Sequence, residues 1–265
     1  IRSVSMRVVC LLIVLFISPA SFSFAAVKGE EVEYTSNGLK MKGYLAYDDA
    51  TSDKRPGVLV VHEWWGNDEY SRNRARMLAE LGYTAFALDM YGEGKTATHP
   101  DDARRLSSEV RQNMPAAENR FLAAMKVLQQ HPTTDSDRIA AIGYCFGGAV
   151  VLHMARKGYD LDGVASFHGS YSTNTPAQPG KVKAAVLVAH GAADDFSTPE
   201  QVEALKKEMK EANVDFTFIS YEGAKHSFTN PEADRHKDMG LAYNPEADKK
   251  SWSDLQAFLK RIFAR

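Results

Sequence analysis

Gly143-Tyr144-Cys145-Phe146-Gly147-Gly148 sets a thiol between glycines two residues before it and two after it. The apolar run Ile139-Ala140-Ala141-Ile142 precedes the segment, and the helical pattern Ala149–Met154 follows it. Strand, Gly-x-Cys-x-Gly, helix is the context of a nucleophile elbow, in which the reacting atom stands on a sharp, strained turn. Glycine suits the flanking positions because a side chain there would collide with the turn. The helix starts at the sulfur, so its dipole and unpaired N–H groups favour a thiolate. The N–H of Phe146 is then available to hold an oxyanion.

A base and an acid are needed beside such a thiol. Tyr221-Glu222-Gly223-Ala224-Lys225-His226-Ser227-Phe228 follows the last expected strand, and His226 is the candidate base. His190-Gly191-Ala192-Ala193-Asp194-Asp195 follows another apolar run, Val186–Ala189, and supplies the acid that would orient the imidazole. Asp194 is preferred to Asp195 because Gly191-x-x-Asp194 followed by Thr198-Pro199-Glu200 matches the usual acid turn. Taken singly, each has a plain structural reading: a buried thiol in a glycine-rich turn, a loop histidine, a turn aspartate. Together they stand at three strand ends in the order nucleophile, acid, base, which is the chain order of α/β-hydrolases.

The elements around them must carry these residues to one edge. Glu31–Ser36 and Met41–Tyr47 read as an antiparallel pair turning at Asn37-Gly38. After it, short apolar runs at Gly57–His62, Thr84–Leu88, Arg138–Gly143, Leu161–Phe167, Lys183–Ala189 and Val214–Tyr221 read as strands. Helical patterns at Tyr70–Leu81, Asp101–Gln130 (broken near Met114-Pro115), Gly147–Arg156, Pro199–Ala212 and Asp248–Phe263 alternate with them. Gly82 is a C-cap, and Ser197 or Thr198 an N-cap. This alternation predicts an α/β fold with a mostly parallel central sheet and helices on both faces, whose active site collects at the C-terminal strand ends. Asn230–Asn244, just past His226, reads as a polar loop edging the pocket.

The chain has 265 residues, a length that one large α/β domain can fill, and a formal net charge of −2. No basic stripe marks a nucleic-acid surface, so no nucleic-acid partner is expected. Arg2 and Arg7, the apolar run Val8–Ile17, and Ser23-Phe24-Ala25 have the layout of a secretory signal peptide over residues 1–25. The run is too short to span a bilayer, so after cleavage no membrane insertion is expected, and the product is exported, periplasmic or secreted. Residues 27–265 are expected to form a single domain, acting as a monomer. Of the two cysteines, Cys10 lies in the leader, so Cys145 stands alone with no resolving thiol for redox work. The eight histidines show no metal-ligand spacing, Gly147-Gly148 lacks the lysine of a phosphate loop, and neither metal nor other cofactor is expected. His153 and His168 read as satisfied core or near-core residues.

The residues resemble the dienelactone hydrolase family of the α/β-hydrolases. The resemblance rests on Val61-His62-Glu63-Trp64-Trp65-Gly66, Leu88-Asp89-Met90-Tyr91-Gly92, Gly143–Gly148, His190–Asp194 and Gly223–Phe228, and runs over roughly residues 30 to 264. It implies that Glu63 contacts the resting thiol and couples thiolate formation to substrate binding. It further implies that Trp64 gives the second oxyanion N–H, and that Tyr91 serves the nucleophile or the substrate. Two arginines that grip a substrate carboxylate in the archetypal enzyme are replaced here by Glu93 and Asn230. Arg72, Arg74 and Lys225 are the cations near enough in sequence to compensate. The expected activity is cleavage of a small ester or lactone through a Cys145 acyl-enzyme. The alternative is a non-catalytic small-molecule-binding protein on the same fold.

Overall fold

The computed structural model describes residues 27–264; the expected leader lies outside the described residues. The N-terminal hairpin joins β1 (Val27–Ser36) to β2 (Leu39–Asp48) in unbroken antiparallel register. Its turn is Asn37-Gly38, with φ of 48° and 81°. Positive φ at both central residues gives the twist that two-residue hairpins favour, and Asn-Gly is the pair that tolerates it.

β2 lies antiparallel against β4 (Thr84–Leu88), and the sheet then turns parallel. Its eight strands run in the order β1-β2-β4-β3-β5-β6-β7-β8, with β3 at Arg55–Val61, β5 at Thr134–Tyr144, β6 at Gly163–Phe167, β7 at Ala185–Gly191 and β8 at Phe216–Tyr221. Strand periodicity splits the sheet's residues between two cores. Leu59, Val61, Phe86, Leu88 and Val164 face α2 (Pro100–Gln112), α3 (Met114–Gln130), α4 (Phe146–Lys157) and α5 (Pro199–Glu211). Val58, Val60, Ala85, Ala87 and Ala165 face α1 (Glu69–Glu80) and α6 (Pro245–Phe263). Among the described residues no helix is long and apolar enough to cross a membrane.

The break expected near Met114-Pro115 falls at Asn113. Asn113 closes α2 and its side chain accepts the Ala116 N–H at 3.2 Å, while Pro115 sits in the first turn of α3, where its missing donor costs nothing. The polar stretch after Asn230 is not plain loop: Pro231–Met239 forms 3₁₀ turns, capped by the Asn230 side chain and stopped by Gly240 in the left-handed region. Leu241 then bridges to His226, and Ala242 N–H donates to the His226 carbonyl at 3.2 Å. The stretch therefore does border the loop that bears His226.

Candidate active site

Cys145 stands between β5 and α4 with φ 52° and ψ −112°. An L-residue is held in such a conformation only by its surroundings, at a cost on the order of 1–3 kcal/mol. The glycines make the turn possible. A Cβ on Gly143 would lie 2.1 Å from the Gly147 carbonyl oxygen, and one on Gly147 would lie 2.3 Å from that of Val61. The N–H of Phe146, in the first turn of α4, has no intrahelical acceptor.

His226 and Asp194 arrive from the ends of β8 and β7. Nε2 of His226 lies 3.0 Å from Cys145 Sγ, and Nδ1 lies 2.9 Å from Asp194 Oδ2. The other Asp194 oxygen accepts the Phe196 N–H at 2.9 Å, so the carboxylate is fixed in plane, whereas Asp195 is exposed. Burial of the His226 ring opposes its charge, but the Cys145 sulfur and the Asp194 carboxylate outweigh burial and carry its pKa up to about 10. A ring so placed keeps a proton at neutral pH.

Glu63 and Trp64 follow β3. Glu63 is buried, and its carboxylate is taken by two side chains of the His226 loop: Ser227 Oγ donates to Oε1 at 2.8 Å and Asn230 Nδ2 to Oε2 at 2.6 Å. Burial raises the Glu63 carboxyl above the usual range against those two hydrogen bonds. The hydrogen-bond partners of Glu63, the residue that the resemblance sets against the thiol, are thus Ser227 and Asn230. The peptide at Trp64 is pinned from the loop after β4, where Tyr91 Oη donates to the Trp64 carbonyl at 2.8 Å. His62 braces the same loop. Its Nε2 accepts the Met90 N–H at 3.1 Å, so Nδ1 carries the hydrogen and donates to the Glu63 carbonyl at 2.5 Å.

Of the three cations near these residues in sequence, Lys225 is exposed and the two arginines are engaged elsewhere. Arg72 pairs with Glu31, and buried Arg74 binds Asp248 and the Thr229 carbonyl, each at 2.6 Å. Glu93 is exposed and pairs with Lys95 at 2.7 Å. A further cation is Arg111 on α2, whose guanidinium lies 5.9 Å from the Phe146 ring centre. It opens on a cavity of about 570 Å³ that Phe146, His153 and Ser170 also line. Sequence reading passed over Arg111 because its helix shares no motif with the elbow.

Other partners also emerge only in three dimensions. His168, read as a satisfied core histidine, is fully buried; Nδ1 accepts the Cys145 N–H at 3.2 Å and Nε2 lies 2.7 Å from Thr229 Oγ1. Phe196 is 52% exposed, and its ring lies 4.5 Å from that of His226. Trp65 stacks on His236 of the 3₁₀ segment, with ring centres 4.9 Å apart.

Thiol, imidazole and carboxylate in hydrogen-bonded sequence, at the C-terminal edge of a sheet in this strand order, define an α/β-hydrolase architecture. The chain belongs more narrowly to the dienelactone hydrolase family, whose profile matches residues 41–263. It is similar to Protein usf of Aquifex pyrophilus, 32% identical over 88% of this chain and 98% of that one. Among solved structures, a dienelactone hydrolase-like promiscuous phosphotriesterase, P91, from metagenomic libraries is 32% identical with a TM-score of 0.83, covering 89% of this chain and 99% of that one. The structure titled m3DLH is 36% identical with a TM-score of 0.84, over the same shares of each chain.

Proposed function

We propose that this hydrolase cleaves small carboxylic esters or lactones, with Cys145 as nucleophile, His226 as proton carrier and Asp194 as its orienter. The observation that carries the reading is the continuous contact from Sγ through both His226 nitrogens to Asp194, at 3.0 and 2.9 Å. The Cys145 thiolate attacks the carbonyl carbon, and the carbonyl π electrons move onto oxygen. The N–H groups of Phe146 and Trp64 hold that oxyanion. Its collapse breaks the C–O bond, and the imidazolium of His226 gives its proton to the leaving oxygen. Water, deprotonated by His226, then attacks the thioester; the second tetrahedral intermediate expels the thiolate and releases the acid.

The cavity beside Phe146 is the seat for the substrate's variable part, and Tyr91 and Glu63 support the loop that holds the oxyanion. Export belongs to the same reading, supported by the Arg2–Ala25 leader pattern. Fractionation and N-terminal sequencing of the expressed protein test it; a cytoplasmic product still bearing Arg7 would overturn it.

The main test is hydrolysis of a short p-nitrophenyl ester by chain starting near Ala26, with and without iodoacetamide. Turnover should vanish in step with alkylation of Cys145. A slow, ordinary thiol without turnover would instead favour the binding-protein alternative.

A further inference from the structure

The elbow and the base belong to different parallel strands, and something must hold them at reacting distance. The backbone ladder links them only step by step, through β6 and β7, which lie between β5 and β8. One side chain spans the gap, and it comes from the end of β6. The His168 ring touches the nucleophile's backbone through Nδ1, sharing a Cys145 N–H that also donates to the Phe167 carbonyl at 2.9 Å, and the base's loop through Nε2. Its edge also meets the His226 ring, with centroids 5.4 Å apart.

Hydrogen bookkeeping fixes its tautomer. The Cys145 N–H can only donate, so Nδ1 offers its lone pair. Nε2 therefore carries the hydrogen and donates to Thr229 Oγ1. A second proton would set Nδ1–H against the Cys145 N–H, and burial, His226 and Arg74 all disfavour it, holding the ring well below the usual histidine range. The far end of the contact is itself moored. Thr229 Oγ1 meets Tyr70 Oη of α1 at 2.6 Å, and its carbonyl takes Arg74, which Asp248 of α6 holds. Aromatic neighbours Tyr144 and Phe228 close around the ring at 6.0 and 5.3 Å. His168 has φ 39°, where an L-residue is strained, so its own backbone is bent to present the ring here.

We propose that His168 is a positioning residue: a neutral imidazole strut between the turn of Cys145 and the loop of His226 that sets the Sγ–Nε2 contact. The inference rests on the functional reading above, since a strut matters only if that contact does chemistry. It predicts which atoms matter. Asparagine at 168 keeps an acceptor near Nδ1 but cannot reach Thr229; glutamine reaches Thr229 but loses the acceptor at Cys145.

The experiment reads the thiol directly, without needing the natural substrate. Iodoacetamide alkylation of Cys145 is followed from pH 5 to 10 in wild type, Thr229→Val, His168→Asn and His168→Gln, with kcat and KM on a p-nitrophenyl ester and unfolding midpoints beside it. Thr229→Val is nearly isosteric and should still fold, with a midpoint lowered because Tyr70 Oη and His168 Nε2 lose their shared partner, so the kinetics are read well below that midpoint. Its alkylation rate at pH 7 and its kcat should fall together, by roughly 10- to 100-fold for a shift approaching an ångström, with KM little changed. His168→Asn, which loses the Thr229 arm, should behave as Thr229→Val does, whereas His168→Gln, which loses the acceptor at Cys145, should displace the alkylation profile toward higher pH. Fast wild-type alkylation with all three variants equally fast at every pH would overturn the strut alone. An ordinary, slow thiol in the wild type would overturn both the functional reading and the strut.

Discussion

Tyr91 and Trp64, from the ends of neighbouring strands, share one hydrogen bond, Oη to carbonyl at 2.8 Å. Burial raises the Tyr91 phenol well above its ordinary range, so it remains a donor throughout the working pH range. The bond orients the peptide whose N–H is proposed to face the oxyanion. Tyr91→Phe should lower stability by about 1 kcal/mol, the net worth of one hydrogen bond. It should also lower kcat more than it raises KM, because an oxyanion donor acts mainly in the transition state. Steady-state kinetics with urea unfolding check this; a pure KM effect would show that Tyr91 contacts substrate instead.

The proton on His226 gives a pH prediction with a definite sign. The ring holds its proton from the ordinary 6.5 up to about 10. In the free enzyme that proton serves the leaving group, so kcat/KM should hold through pH 8 and fall with a midpoint near 10. Asp194→Asn removes a hydrogen bond that raises His226, so the alkaline limb should move to lower pH as overall activity drops. An alkaline limb that stays in place in Asp194→Asn would detach it from His226.

Glu63 supplies a stability prediction. Its carboxyl is raised in the folded state, so folding favours the protonated form and stability from this group declines as pH rises through the folded value. Asn230→Leu removes one of its two donors, raising it further. The variant should lose about 1–3 kcal/mol at pH 8, the cost of an unpaired buried polar group. The deficit should shrink at pH 5, where Glu63 is closer to protonation. Equal deficits at both pH values would assign the loss to packing and to the 3₁₀ cap that Asn230 also provides, not to Glu63.

Substrate charge is the fourth point. Of the two positions where the family archetype carries arginine, Glu93 is exposed and Asn230 is buried against Glu63. A carboxylate placed there would lose water without gaining a cation. Neutral esters and lactones should therefore exceed their carboxylated analogues in kcat/KM by about tenfold or more, the ratio of a 1.4 kcal/mol difference. Should the carboxylated compounds win, Arg111 becomes the cation to remove.

What the sequence made legible was the set of residues that follow apolar runs. Cys145, Asp194 and His226 each close or succeed a strand, so periodicity alone located them at one edge. Asp194 could be preferred to Asp195 from turn spacing, and its bond to His226 agrees with that preference. What stayed hidden was pairing. Nothing near Glu63 in sequence announces Ser227 and Asn230, which lie on a loop about 165 residues onward. His168 looked like core because it is core; its function lies in which two loops its nitrogens touch. Arg74 sits on an amphipathic helix where a cation reads as solvent-facing, yet it is buried among the rings of Tyr70, Tyr144 and Trp252. The 3₁₀ turns after Asn230 were masked by a polar composition that carries no period.

Arg74 ties the loop of His226 to Asp248 in the first turn of α6, and α6 is an outer helix rather than part of the sheet. Heat should therefore silence this enzyme before it melts it. Loosening the first turn of one peripheral helix slackens the base's loop while the strands are still paired, so the inactivation temperature lies below the calorimetric one. Hardening the protein for use would begin at the Arg74–Asp248 mooring, far from the sulfur.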